Sequence, residues 1–245
     1  EEELADGTLL SHLIELRSRL LIIAVAVLVA FIILLPFSRD IFTLVSEPLR
    51  EVLPGNAMIA TAVASPLLTP FKLTFFAALF LVMPVVLFQV WNFIAPGLYK
   101  NEKRFAIPLL ATSIVLFYLG IAFAYFVVFP LIFGFFTSIA PEGVEVQTDI
   151  TQFLDFITTI VFAFGIAFEV PVATVLIVWA GLTNIEKLAK ARPYVFLMAF
   201  IAGMFLTPPD VISQSLLAVP VYLLYELGII MSKVFVSKKS ESDSS

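Results

Sequence analysis

From Phe105 to Pro141 the chain runs for 37 residues without one Asp, Glu, Lys or Arg. A helix on a water-soluble domain needs a polar face, and this stretch has none. Laid out as one helix it would measure about 55 Å, whereas about 20 apolar residues cross a hydrocarbon core of about 30 Å. The chain therefore reads as an integral membrane protein. Its composition agrees: 61% of residues are apolar and 13% charged, far from the balance of about 45–50% and about 25% found in soluble domains.

Applying the same length criterion throughout predicts six spanning helices, at about 20–37, 70–95, 105–130, 150–180, 194–206 and 211–231, in one all-α membrane domain covering 1–245. Pro84 interrupts the second span. Pro130 marks where the third bends or ends, because proline lacks the helix donor and clashes with the preceding turn. The last two spans form a hairpin joined by "TPPD". Residues 38–69 make a first outer loop whose prolines and mixed polarity suggest short interfacial helices, and 235–245 form a polar tail expected to be disordered.

The basic residues decide between six crossings and seven. With the N-terminus inside, the inner segments hold Arg17, Arg19, Lys100, Lys103, Arg104, Lys187, Lys190, Arg192, Lys233, Lys238 and Lys239, which is 11 of the 14 bases. A second crossing within 105–141 would move Lys187, Lys190 and Arg192 outside, against the tendency of Lys and Arg to stay on the cytoplasmic side. Six spans with both termini cytoplasmic is the consistent topology. The acidic start has no small-residue cleavage site after an apolar run, so it does not read as a removable signal.

The available chemistry is narrow. There is no cysteine and one histidine, His12, so thiolate and multi-histidine metal sites are excluded. No phosphate-binding loop is present, no cofactor is implied, and a net charge of −5 argues against nucleic acid, which needs a basic footprint. No catalytic constellation can be assembled: Asp155 and Glu169 would lie about 21 Å apart along one helix, too far to share a proton.

Glu169 is nevertheless the conspicuous residue, about 12 positions from the inner end of its span. A charge at that depth costs about 3 kcal/mol on insertion scales, so such a group faces a cavity or a partner. Asp155, 14 positions earlier, falls within about 40° of the same face, so the two acids mark one polar stripe with Thr159 between them. One alternative is that a protonated Glu169 simply joins two helices. Another is a secondary transporter or proton pathway that uses Asp155 and Glu169, although no internal repeat supports it. The fifth span has only about 13 apolar residues, about 20 Å, so it should thin the bilayer or be covered by neighbours.

Five stretches coincide in order and spacing with one family: "HLIELRSRL", "ASPLLTPFKLTF", "QVWNFIAPGLYKNEKR", "AFGIAFEVPV" and "TPPDVISQSLLAVPVYLLYE". Together they resemble TatC, the multi-spanning core of the bacterial twin-arginine protein translocase, with gammaproteobacterial members nearest. The resemblance runs from His12 to Lys233. It implies a glove-shaped, six-helix protein of the inner membrane with a concave face and short fifth and sixth helices. Such a protein binds twin-arginine signal peptides of folded cargo and assembles with the single-span proteins TatB and TatA in an oligomeric TatBC complex in the phospholipid bilayer. The proton-motive force drives export.

Residue by residue, the resemblance implies that Phe93 and Glu102 belong to the signal-peptide site, with Glu15 on the same face and Arg17 as its orienting neighbour. Glu169 matches the family's intramembrane glutamate. Met204, Thr207 and Gln214 match the region where partner helices dock, Asp210 the hairpin acid, and Pro48 a sensitive position of the first outer loop. One departure is "ATAVASP", where relatives read "ATDVASP", so Ala62 replaces an acid. Chemically, two arginines call for two carboxylates, because guanidinium–carboxylate pairs are charge-assisted and geometrically matched. Glu15 and Glu102 meet that need amid bases that repel other cations. For Glu102, charge balance on an exposed loop remains the alternative.

Overall fold

The computed structural model describes residues 2–52, 58–94, 103–139, 148–207 and 210–242. Their secondary structure is helical apart from turns and one isolated bridge between Ile59 and Asp149. Ten helices follow in order among these residues: α1 Glu2–Leu34, α2 Ser38–Val52, α3 Ser65–Leu81, α4 Met83–Ile94, α5 Lys103–Phe123, α6 Phe129–Ser138, α7 Ile150–Ala167, α8 Val170–Trp179, α9 Ile185–Leu206 and α10 Val211–Ser242. Five helical runs are long and apolar enough to cross a membrane, and the bent pair α3–α4 makes six.

Prolines account for most interruptions. Pro84 cannot donate to the Phe80 carbonyl, and the second span breaks there: α3 and α4 meet at 49°, with Val82 Oxygen accepting from both Val85 and Val86 N–H. Of the two outcomes expected at Pro130, a bend or an end, the end does not occur. The helix neither stops nor loses its run; it continues from Ile107 to Ser138 through a π-helical turn, Ala124–Val128. Widening the ladder just before Pro130 accommodates the missing donor. Pro171 loosens the fourth span, where Glu169 N–H bonds Ile166 O and Ala173 N–H bonds Glu169 O.

Three further boundaries depart from the sequence reading. The first outer loop opens with a helix, α2, which α1 reaches through a single 3₁₀ turn, Leu35–Phe37, so that the apolar run extends from Leu13 to Glu47. In the fifth span the shortness belongs to the uncharged segment 194–206: α9 itself has 22 residues, starting at the Asn184 side chain, which accepts from Lys187 N–H at 2.8 Å. Finally, α10 extends for 32 residues to Ser242, so most of the tail expected to be disordered is helical. No Gly or Pro follows Gly228 to stop it. By contrast α8 ends cleanly, because Gly181 adopts φ 72° and lets Leu182 and Gly181 N–H bond Ile177 and Val178 carbonyls.

Packing divides the chain, read above as one domain, into two compact units, 1–45 with 66–114 and 46–65 with 115–245. In the first, Val27 and Ala30 of α1 bury against Ala78 of α3 and Val82 at the bend, and Phe31 meets Phe75 edge-on at 6.1 Å. In the second, α10 lies along α8 and α9. Leu188, Tyr225 and Ile229 form a core there, with Tyr225 OH donating to Leu188 O at 2.8 Å.

Candidate functional site

The segment "HLIELRSRL" lies entirely in α1, so its side chains are distributed by helical geometry. Residues four apart stack on one face and residues two apart point to different faces. Glu15 accordingly meets Arg19, and Arg17, the neighbour expected to orient it, is exposed. Arg19 Nε donates to Glu15 Oε1 at 3.0 Å, and Nη2 donates to the same oxygen.

Arg19 also reaches α4. Its Nη1 donates to Gln89 Oε1 at 3.1 Å and its Nη2 to the carbonyl of Asn92 at 3.0 Å. The next residue is Phe93, partly buried in the last turn of α4. The Glu15 carboxylate is therefore held, through one guanidinium, beside the helix end that carries Phe93. Glu102 lies outside the described residues, as does the side chain of Pro48, whose backbone belongs to α2. Sequence reasoning missed Arg19, Gln89 and Asn92. Of these, only Arg19 carried a signal, its i,i+4 spacing from Glu15.

Glu169 occupies the turn between α7 and α8, with its Oε1 buried. The α-helical hydrogen-bond ladder is locally interrupted there, within the continuous run Ile150–Trp179; Asp155 is exposed, and Thr159 Oγ1 donates to its backbone carbonyl.

At the last hairpin, Met204 is half exposed on α9, and buried Thr207 donates its hydroxyl to Gly203 O at 2.9 Å. Asp210 Oδ1 accepts from Ser213 N–H at 2.7 Å, which caps the first turn of α10. Gln214 passes so close to α9 that a Cβ on Gly203 would lie 3.5 Å from its Cα. These four residues lie at the end of α9 and the start of α10.

A further tie joins two connecting segments. Asp149 Oδ2 accepts from Thr61 N–H at 2.9 Å and Thr61 Oγ1 at 2.7 Å, and Oδ1 accepts from Thr151 and Gln152 N–H. The Thr61 hydroxyl first and its N–H second hold the Asp149 carboxyl down to about 2, against the upward push of burial. Ile59 and the 148–150 backbone complete the tie, with Ile59 N–H to Thr148 O at 3.0 Å and Ile150 N–H to Ile59 O at 2.9 Å.

A family profile described as "Sec-independent protein translocase protein (TatC)" matches residues 11–220. The chain belongs to the TatC family. A TatC of Azotobacter chroococcum mcd 1 is 61% identical over 225 residues, covering 91% of this chain and 88% of the relative. That of Escherichia coli K12 is 58% identical over 231 residues, covering 94% and 90%. A crystal structure described as the twin arginine translocase receptor TatC superposes with a TM-score of 0.82 at 37% identity, covering 91% of this chain and 98% of that one. As a TatC-family protein the chain is a membrane-embedded component of a protein translocase, a transport subunit rather than an enzyme.

Proposed function

We propose that this TatC-family chain is the receptor that binds twin-arginine signal peptides of folded proteins at its cytoplasmic face. The observation that carries this reading is the Glu15 carboxylate, which already holds a guanidinium next to the end of α4 that bears Phe93. A carboxylate with that geometry suits an arginine ligand, and Phe93 offers apolar contact to the residues after the arginines. Glu102, eight residues beyond the end of α4 in sequence, supplies the second carboxylate, and Arg17 contributes to the same face. The solved relative described as a receptor supports the assignment.

In this reading both termini lie in the cytoplasm and the protein resides in the bacterial inner membrane. Glu169, together with Met204, Thr207, Asp210 and Gln214 at the hairpin, engages the membrane helices of TatB and TatA, and Pro48 supports the outer loop. Transport draws on the proton-motive force. The deciding experiment is photocrosslinking of a twin-arginine peptide to the membrane-embedded protein. Glu15→Gln and Glu102→Gln are expected to abolish the crosslink while the protein remains folded, and an undiminished crosslink in both removes them from the site. Loss of TatB co-purification with Glu169→Ala tests the partner assignment.

A further inference from the structure

We propose that Arg19 is a resident occupant of the Glu15 carboxylate, a guanidinium of the chain's own that an incoming arginine must displace. The inference rests on the reading of Glu15 as a receptor group and adds an internal competitor to it.

An ordinary i,i+4 ion pair on a helix surface touches only its own helix. Arg19 does more: its side chain is 19% exposed against 34% for Glu15, and its guanidinium spans two helices. Two N–H groups converge on Glu15 Oε1, and two contacts run to α4, to Gln89 Oε1 and Asn92 O. A residue serving only to tie α1 to α4 would need the second pair alone. The first pair covers one oxygen of the carboxylate, Oε1, with the Nε–Nη2 edge that a peptide arginine also presents.

The second pair makes the occupant exchangeable. Releasing a partly buried guanidinium is costly when it is left without acceptors. Here Gln89 and Asn92 retain Arg19 after Glu15 is given up, so displacement costs little beyond the Glu15 contacts themselves. Arg17 has no such holder among the described contacts, which fits its exposure.

Competition of this kind weakens every ligand of Glu15 by the same factor and leaves their ratio unchanged. A lysine ammonium, a point charge without the planar fork, then falls below the working range while a guanidinium stays within it. The occupant thus sets a threshold, and the geometry of the carboxylate sets the preference.

The test uses the purified full-length chain in detergent and a labelled peptide carrying Arg-Arg or Lys-Lys before an apolar segment, with Kd read by fluorescence anisotropy. Arg19→Met keeps the packing of the aliphatic stem and removes the competitor. Both Kd values should fall about tenfold, which is about 1.4 kcal/mol, with their ratio preserved. Arg19→Lys should lower both by a smaller factor. Unchanged or weakened binding in folded Arg19→Met overturns the proposal, since a purely structural Arg19 gives no gain in affinity. If Arg19→Met fails to fold, Arg19→Lys carries the test with the same sign and the same overturning result. Glu15→Gln separates the two ideas: binding unaffected by that substitution refutes the receptor reading itself.

Discussion

Asp149 links two pieces of chain through one carboxylate, Thr61 on one side and the first turn of α7 on the other, with the backbone bridge to Ile59 beside it. Because its pKa is depressed from 3.8 to about 2, its charged form is favoured in the folded protein. The stabilisation is complete above about 3.8 and is lost as pH falls through about 2. Asp149→Asn should therefore lower the thermal unfolding midpoint at pH 7, and the gap to the parent protein should close over that acidic window in a pH series of melts. Ala62, by contrast, is exposed, and its carbonyl accepts from Ser65 N–H as the chain turns into α3. The tie is made by Asp149 and not at position 62, so Ala62→Asp should shift stability by less than about 0.5 kcal/mol, measured by the same melts. Nothing in the sequence singles out Asp149, since its partner Thr61 lies 88 residues away and only the fold brings them together. Glu15 and Arg19 were different: their spacing was legible, but Gln89 and Asn92 became visible only once α1 packed against α4.

Between elements, backbone approach matters more than apolar area, because lipid competes equally well for apolar side chains and small residues let helices close in. On α10, a Cβ at Gly228 would overlap Thr174 Oγ1 and sit 3.0 Å from Pro171 Cα on α8. Gly228→Ala should cost about 1–3 kcal/mol, and Thr174→Ala in the same chain should restore part of it, because one of the obstructing groups is a side chain. At Gly120 the obstruction is the Phe164 carbonyl at 2.5 Å, which is backbone, so Gly120→Ala should cost at least as much and resist any such rescue. Thermal unfolding of the single and double variants checks both statements. Across α9 and α10, Arg192 Nε and Nη2 reach the two oxygens of Glu226 at 2.6 and 2.8 Å. Arg192→Lys loses that fork and should lower the thermal unfolding midpoint only slightly, since both side chains keep solvent contact. Glu226 was not flagged in the sequence because it follows a long apolar run close to the inner end. The Pro84 break was legible from the missing donor alone, whereas the path through Pro130 was not, because a π turn upstream is a second way to meet the same deficit.

For the whole chain the open physical question is orientation, and the distribution of bases argues it. Placing 11 of 14 Lys and Arg on one side requires that 105–141 cross once. The single helical run from Ile107 to Ser138 is compatible with that, since one continuous helix cannot turn back within the bilayer. That placement predicts a cytoplasmic turn between α8 and α9, just before Lys187, and an outward turn before α3. Both turns carry an accessible reporter position: Leu182 is largely exposed and Val63 fully so. With no native cysteine, a single introduced thiol reports its own side without background. In intact spheroplasts a membrane-impermeant maleimide should label Val63→Cys at once, and Leu182→Cys only after permeabilisation. Labelling of Leu182→Cys from outside would require an additional crossing before it, and would move Lys187, Lys190 and Arg192 to the outer face against the charge bias that orients the rest of the chain.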